Sequence, residues 1–512
     1  MIDHIRYILN EFLKQNNFVN IHFTLEIPKF SRGHVATNIL FIIKNKYKKD
    51  VGDNLRLILK SDKNIDTVEI KNNFMNIFFK SSILKDLDFS FIKHNTPIII
   101  EYTSPNATGP LHIGHARGTV IGDTLSNIFQ YIGYNVCRDF YFNDGGNQIN
   151  KFIKSIYTRY REIKYQDLFE EDIFYKGEYV KNIAQEYIDE NNYFYEEFNE
   201  KFRKEILENM KKDIIKDLSL MNIKHDFYTY ESSLIEESST TINKLKEKNL
   251  IEEYENKILF KSTLFADDKD RVIRREDGSF TYFGNDITYH LKKLQRGFSR
   301  QIIVLGEDHI GYFKRLSAIV KNFNIKLQIV PHSIVKVFKD NKEMKMSKRS
   351  GNFIKICDFI ENYSSDFLKI LLLTQNYYTS INIDLNNLNI ENSPLFYIQY
   401  TYIRLNSIID KMTLEEEFID YNFLKNKEDK NVIMYLIWWK ETIKNISINL
   451  EVNLLLLFIT NFCKSLHIYW NNNTIQQENK IISNSRLFLM IRSFEVLSIS
   501  MDLLKINKTM NK

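Results

Sequence analysis

The chain has 512 residues, 44% hydrophobic and 26% charged, a soluble globular composition with room for two to four domains. Its net charge of +5 permits a nucleic-acid partner without demanding one. Cys137, Cys357 and Cys463 are isolated and odd in number, with no CxxC or Cys/His cluster, which argues against a disulfide framework and against zinc.

Residues 1–95 alternate helical and strand patterns and predict a small α+β module. Residues 2–13 read as an amphipathic helix, 19–27 as a strand and 34–44 as a helix after Gly33. Residues 68–80 end in alternation, with Met75, Ile77 and Phe79 on one face. The basic run 44–49 reads as a solvated helix end. The N-terminus has neither a secretory h-region nor an Arg/Ser-rich, acid-poor transit pattern, and no apolar run approaches membrane-spanning length. A reducing cytoplasmic compartment is expected, with no membrane partner.

Residues 97–133 organise the rest. Ile98, Ile99 and Ile100 predict a buried strand, a Pro- and Gly-bearing turn follows at 104–110, and a helical pattern runs on to Gly133. Strand, tight loop and helix N-terminus is how α/β folds present backbone N–H groups to phosphate. Here the loop carries His112-Ile113-Gly114-His115, two imidazoles three apart on one face of the first helical turn. Gly114 leaves room for a ligand to approach. These features point to a phosphate site.

A second strand at 135–144 ends in Asn143-Asp144-Gly145-Gly146. Residues 150–255 are charged and helical, without a cluster that carries chemistry, and read as an inserted or connective region. A hairpin turning at Asp277-Gly278 is expected next, then a strand at 280–283 and a helix capped by Asn285 or Asp286. A buried strand at 301–305 runs into Gly306-Glu307-Asp308-His309. Another, at 333–338, leads through Asp340-Asn341 to KMSKRSGN at 345–352, a mobile basic loop suited to closing over a triphosphate. After Asn389 the periodicity at 397–409, 432–446, 454–470 and 487–504 predicts a helical bundle.

Together the histidine loop and the basic loop are specific. The sequence resembles class I aminoacyl-tRNA synthetases, with HIGH at His112 to His115 and KMSKR at Lys345 to Arg349. Within that class it is most similar to arginyl-tRNA synthetases, through SPNATGPLHIGHARG, NDGGNQI, DDKDR, TYFGNDITYH, KMSKRSGN and PLFYIQY. The resemblance implies an α/β fold of three parts: an N-terminal α+β tRNA-contacting module (1–95), a Rossmann-like parallel-sheet catalytic domain (96–385) and an all-α anticodon-binding bundle (386–512). It also implies ATP-dependent activation of L-arginine, transfer to the 2′-hydroxyl of the terminal adenosine of tRNA(Arg), Mg²⁺ arriving with ATP, and a monomer.

Residue by residue, the resemblance gives His112, His115, Lys345 and Lys348 to catalysis. It gives Pro105, Gly109, His112, Gly114, His115, Met346, Ser347 and Lys348 to ATP, with Gly306, Asp308 and His309 at the ribose. It gives Glu101, Asn106, Tyr282 and Asp286 to arginine. A guanidinium is a planar fork that asks for carboxylates and a flat aromatic face, which suits the last set. The competing roles are a helix cap for Asp286, core packing for Tyr282 and pairing within the sheet for Glu101. The sequence departs from the family's pattern at Gly33-His34, at Gly306-Glu307-Asp308 and at Asn392-Ser393-Pro394, none of which alters the adenylation set. A small-molecule nucleotidyltransferase would share the histidine loop but not KMSKRSGN or the long helical C-terminus. Class I synthetases for large aliphatic amino acids or for cysteine would carry an editing domain or a zinc site.

Overall fold

The computed structural model describes the chain except residues 29–31, 167–172, 192–194, 266, 308–315, 318 and 510–512. Two units separate: Met1–Phe91 with Glu391–Asn449 and Leu454–Lys512, and Ile92–Ile390 with Leu450–Asn453.

In the first unit, α1 (Ile2–Gln15) buries Ile2, Ile5, Leu9, Phe12 and Leu13, the stripe that helical spacing dictates. β1 (Leu25–Glu26) and β2 (Val35–Thr37) precede α2 (Ile39–Tyr47) and α3 (Gly52–Lys60). β3 (Ile65–Lys71) and β4 (Phe74–Phe79) complete an antiparallel sheet of order β1-β2-β4-β3. Three expectations are corrected here. The strand at 19–27 shrinks to two residues. The helix expected at 34–44 starts only at Ile39, because Val35–Thr37 pairs with β4. The alternating run at 68–80 is a hairpin turning on Asn72 and Asn73, both at positive φ. The basic run does end a helix, with Lys48 in the left-handed cap and Lys46 donating to the carbonyls of Val19 and Asn20.

The helices Pro394–Lys411, Lys427–Asn449, Asn453–Asn472 and Lys480–Leu504 cover the four periodic C-terminal segments. The sequence reading separates residues 1–95 from 386–512, whereas Met1–Phe91 packs with Glu391–Asn449 and Leu454–Lys512 in one unit. Trp438 Nε1 donates to His34 O at 2.7 Å, and Arg6 pairs with Glu441 at 2.7 Å. Such contacts, some 400 residues apart in sequence, leave no local pattern.

The second unit begins with β5 (Pro97–Glu101), α4 (Ile113–Tyr131), β6 (Asn135–Phe142), α5 (Gly146–Tyr165), α6 (Glu178–Glu190), α7 (Glu200–Leu220) and β7 (Phe227–Tyr230). α8 (Ser238–Glu247), β8 (Ile251–Tyr254), β9 (Lys257–Phe260), β10 (Arg271–Arg274) and α9 (Tyr282–Gln295) follow. β11 (Arg300–Gly306), β12 (Lys326–His332), β13 (Val335–Lys339) and β14 (Lys342–Met344) come next, then two short helices, Ile356–Asn362 and Ser365–Leu372, and β15 (Ile381–Asp384). The core sheet is parallel throughout, in the order β12-β11-β5-β6-β7. Ile98, Ile99 and Ile100 are fully buried at its centre, as a strand covered on both faces requires.

Two further expectations change. Residues 150–255 are not only connective helix: β7 is an edge strand of the core sheet, and β8 and β9 form a hairpin. The strand expected at 280–283 reduces to one bridge, Arg274 to Phe280, because Thr281 caps a helix that already contains Tyr282 and Phe283. The expected turn at Gly278 is present, with φ +81.

Candidate active site

The chain leaves β5, builds outward through β6 and β7, and returns to lay β11 on the other side of β5. The carboxyl ends of β5 and β11 therefore flank a topological switch point, where open parallel sheets form a ligand crevice. A cavity of about 880 Å³ opens there, lined by residues that include Glu101, Pro105, Asn106, Gly114, His115, Tyr282, Asp286 and Gly306. A second, of about 360 Å³, shares Asn106, His115 and Gln148 with it and is lined also by Met346, Ser347 and Lys348.

His112 is the N-cap of α4 and accepts from Gly114 N at 3.1 Å through Nδ1. His115 Nδ1 in turn accepts from His112 N at 3.3 Å. The rings stack with centroids 3.6 Å apart. With each Nδ1 accepting, each neutral ring carries its proton on Nε2 and offers it as a donor. Burial, with Lys348 adding repulsion, lowers His112 to about 3 and His115 well below its ordinary value, so both stay neutral at physiological pH. Gly114 serves a purpose beyond ligand access, since a Cβ there would lie 2.9 Å from the His112 ring.

The basic loop is aimed by the β13–β14 hairpin, whose turn residues Asp340 and Asn341 both have positive φ. Its ends close on each other, Ser347 N donating to Asn352 O at 2.7 Å and Asn352 N to Ser347 O at 3.1 Å. Lys348 Nζ reaches across to Gly109 O at 3.2 Å. Burial of this ammonium lowers Lys348 to about 7, against the opposing pull of Asp217. Arg117, fully buried in α4, fixes the root of the hairpin by donating to the carbonyls of Ser333, Asn376 and Thr379.

The other end of the larger cavity is acidic. Asp286 does not cap α9; Thr281 does, accepting from Gly284 N at 3.2 Å. Tyr282 is not core but 63% exposed, at the cavity wall. Glu231, directly after β7, lines the same space, and burial raises its carboxyl. Tyr141 is held protonated by burial and by the carboxylates of Glu231, Asp286 and Glu101. Asn106 donates to Gln148 Oε1 at 2.8 Å and bridges to Asn143.

Glu101 borders the cavity with its charge already answered. Lys293 of α9, itself fully buried, holds its Oε2 at 2.6 Å. Removing one member of such a pair strands the other in low dielectric. Lys293→Ala is expected to lower stability by about 3–5 kcal/mol in denaturant unfolding, and pairing Lys293→Met with Glu101→Leu should recover most of that loss.

Of the residues singled out in the sequence, Asp308 and His309 lie outside the described residues. Lys345 is exposed and lines neither cavity. Gly109 turns toward the ring of Tyr179, where a Cβ would come within 2.5 Å. Glu231 was not singled out by the sequence. Its signal was weak: a lone carboxylate after a short strand in a stretch dominated by charged helices. Among the described residues no cluster of three or more His, Cys, Asp or Glu side chains could hold a metal, and no helix is long and apolar enough to cross a membrane.

The parallel sheet, its switch-point crevice and the two facing loops define a class I aminoacyl-tRNA synthetase catalytic domain. The profile for tRNA synthetases class I (R), catalytic domain, matches residues 80–439, and the DALR anticodon binding domain matches residues 398–511. The arginine–tRNA ligase of Wolbachia pipientis subsp. Culex pipiens is 32% identical, with 94% of each chain covered. That of Aquifex aeolicus is also 32% identical, with 95% of each covered. The arginyl-tRNA synthetase structure from Thermus thermophilus shares the fold, with TM-score 0.77 at 14% identity over 99% of this chain and 100% of that one. The chain belongs to the arginine–tRNA ligase family.

Proposed function

We propose that this chain, as an arginine–tRNA ligase, binds L-arginine and ATP side by side in the switch-point crevice and charges tRNA(Arg) in two steps. The arginine carboxylate oxygen attacks the α-phosphorus of ATP, the bond to the β-phosphate oxygen breaks, and pyrophosphate leaves. The 2′-hydroxyl of the terminal adenosine then attacks the arginyl carbonyl carbon, its proton departs, and AMP is released. The observation that supports the reading is a cavity lined by Glu101, Glu231 and Asp286 that shares His115 with an adjoining cavity lined by Lys348, while His112 stacks on His115.

In this scheme Asp286 and Glu231 pair with the guanidinium and Tyr282 covers its face. Asn106 contacts the α-amino or carboxylate end, and Glu101 with Lys293 supplies a rigid floor. His112 and His115 donate from Nε2 to the α-phosphate as charge moves onto its oxygens. Lys348 neutralises the leaving phosphates, with Ser347 and Met346 around them, while Lys345 at the loop's entrance adds attraction. Pro105, Gly114 and Gly306 shape the nucleotide site. Mg²⁺ bound to the ATP phosphates would supply further positive charge there. The match to an anticodon-binding domain supports tRNA over a small-molecule acceptor.

ATP–pyrophosphate exchange tests the reading with each amino acid, with and without tRNA. Exchange is expected with arginine and tRNA together; no arginine-dependent exchange under either condition would sink it. A pH dependence follows from Lys348. Its ammonium loses its proton near pH 7 in the free enzyme, and a bound polyphosphate favours the charged form. ATP affinity should therefore weaken as pH rises through about 7, because binding must then take up a proton. Lys348→Arg stays charged throughout, so the wild-type profile of KM for ATP minus that of Lys348→Arg isolates this effect from the titration of ATP itself.

A further inference from the structure

The region at 150–255 touches the active site at a place the reaction scheme leaves unused. Tyr179, on the first turn of α6, is buried, and its hydroxyl lies 3.2 Å from Thr108 O and 3.1 Å from Lys348 O. One carbonyl belongs to the histidine loop and the other to the catalytic lysine of the basic loop. Beneath them the Tyr179 ring occupies the space that a side chain at Gly109 would fill. The same ring meets Phe353 edge-on at 5.3 Å, and Phe353 packs 5.9 Å from His112.

Three more contacts run between the same partners. Lys176 N donates to Arg349 O at 3.0 Å. Gly177 and Gly351 approach so closely that a Cβ on Gly177 would lie 2.6 Å from Gly351 Cα, and one on Gly351 would lie 2.5 Å from Gly177 Cα. From α7, Asp217 accepts from Leu111 N at 3.1 Å, just ahead of His112. The two halves of the phosphate site come from segments more than 200 residues apart; Lys348 Nζ reaches Gly109 O at 3.2 Å, and just beyond the basic loop Ile113 N donates to Ile354 O at 3.2 Å and Ile356 N to Leu111 O at 3.1 Å. A buried hydroxyl shared by both backbones is a firmer spacer, because it fixes main chain and leaves the lysine side chain free for ligand.

We propose that Tyr179 is a positioning residue for adenylate formation, its hydroxyl setting the separation between the histidine loop and the basic loop so that Lys348 meets the leaving phosphates. The Gly177–Gly351 contact seats the basic loop against α6 in the same closed position. This rests on the assignment of Lys348 to the phosphates given above.

Tyr179→Phe deletes only the hydroxyl and keeps the ring that packs on Gly109 and Phe353. In arginine-dependent exchange with tRNA present, KM for ATP should rise by about 3–10-fold, the worth of a modest hydrogen bond, with kcat reduced and KM for arginine unchanged. Trypsin should cut the basic loop faster in the variant without substrates, while the thermal midpoint stays near wild type. Gly177→Ala, whose Cβ would meet both Gly351 Cα at 2.6 Å and the Tyr179 ring at 2.7 Å, disturbs the same brace and should give the same ATP-specific signature. If both variants keep wild-type KM for ATP and wild-type trypsin resistance, the proposal is wrong. It is equally wrong if KM for arginine and the thermal midpoint shift in step with KM for ATP, since that marks a merely structural role. Lys348→Ala in the same assay separates the two levels: unimpaired exchange there overturns the phosphate assignment itself, whereas loss there beside normal Tyr179→Phe and Gly177→Ala overturns only the brace.

Discussion

Lys348→Ala is expected to slow arginine-dependent ATP–pyrophosphate exchange by about 10²–10³-fold, the cost of removing one preorganised group from a developing negative charge. The larger part should appear in kcat, because charge on the departing phosphates builds mainly in the transition state, with KM for ATP also raised as it is when the lysine loses its proton. Arginine binding should be little changed, since the lysine lines the smaller cavity while Asp286 and Glu231 line the larger. Single-turnover adenylate formation, with arginine affinity measured separately by calorimetry, checks both halves. A loss confined to arginine affinity would contradict the assigned role. Lys348→Arg should fall between, since it keeps charge but brings a broader head to the place where Lys348 Nζ lies 3.2 Å from Gly109 O.

Asp286→Ala should do the reverse. Truncating one partner of a desolvated charge pair costs about 2–4 kcal/mol, or roughly 30- to 1000-fold in arginine affinity. KM for arginine should rise by that factor while KM for ATP stays near wild type. Glu231→Ala should act in the same direction, because both carboxylates face the same space and both hold Tyr141 protonated. Glu101→Ala is a different experiment: its partner Lys293 would be left buried and unpaired, so lost stability accompanies any change in binding. A rise in KM for ATP equal to that for arginine in Asp286→Ala would show that the acidic end does not serve the amino acid alone.

The contrast between Asp286 and Glu231 shows where sequence reading stops. Asp286 sits in TYFGNDITYH, a stretch that the family resemblance picks out and that reads as the start of a helix. Glu231 follows a four-residue edge strand inside a charged region, and nothing in its neighbours marks it. Only the pairing of β7 with β6 carries it to the crevice. Tyr179 is similar: an aromatic on a helix reads as packing, and its ring does pack, but its hydroxyl serves two loops distant in sequence. Errors at residues 34–44 and 280–283 have a related cause. In both, short apolar segments fit helix and strand alike, and the choice fell to a pairing partner at β4 and to the Thr281 cap.

By itself the sequence determined those features that local patterns encode. These are the buried strand at Ile98–Ile100, the histidine pair on one helical turn, the basic loop beyond a tight hairpin, and the four amphipathic helices at the C-terminus. Periodicity, turn residues and helix-start chemistry act over a few residues and so can be read in order. Tertiary structure alone decided which segments share a space. Strand order placed the crevice between β5 and β11, burial turned Glu101 and Lys293 into an internal pair, and α6 came to lie against the loop that carries Lys348. Those outcomes depend on contacts between residues tens to hundreds of positions apart, and chain connectivity leaves no record of them along the sequence.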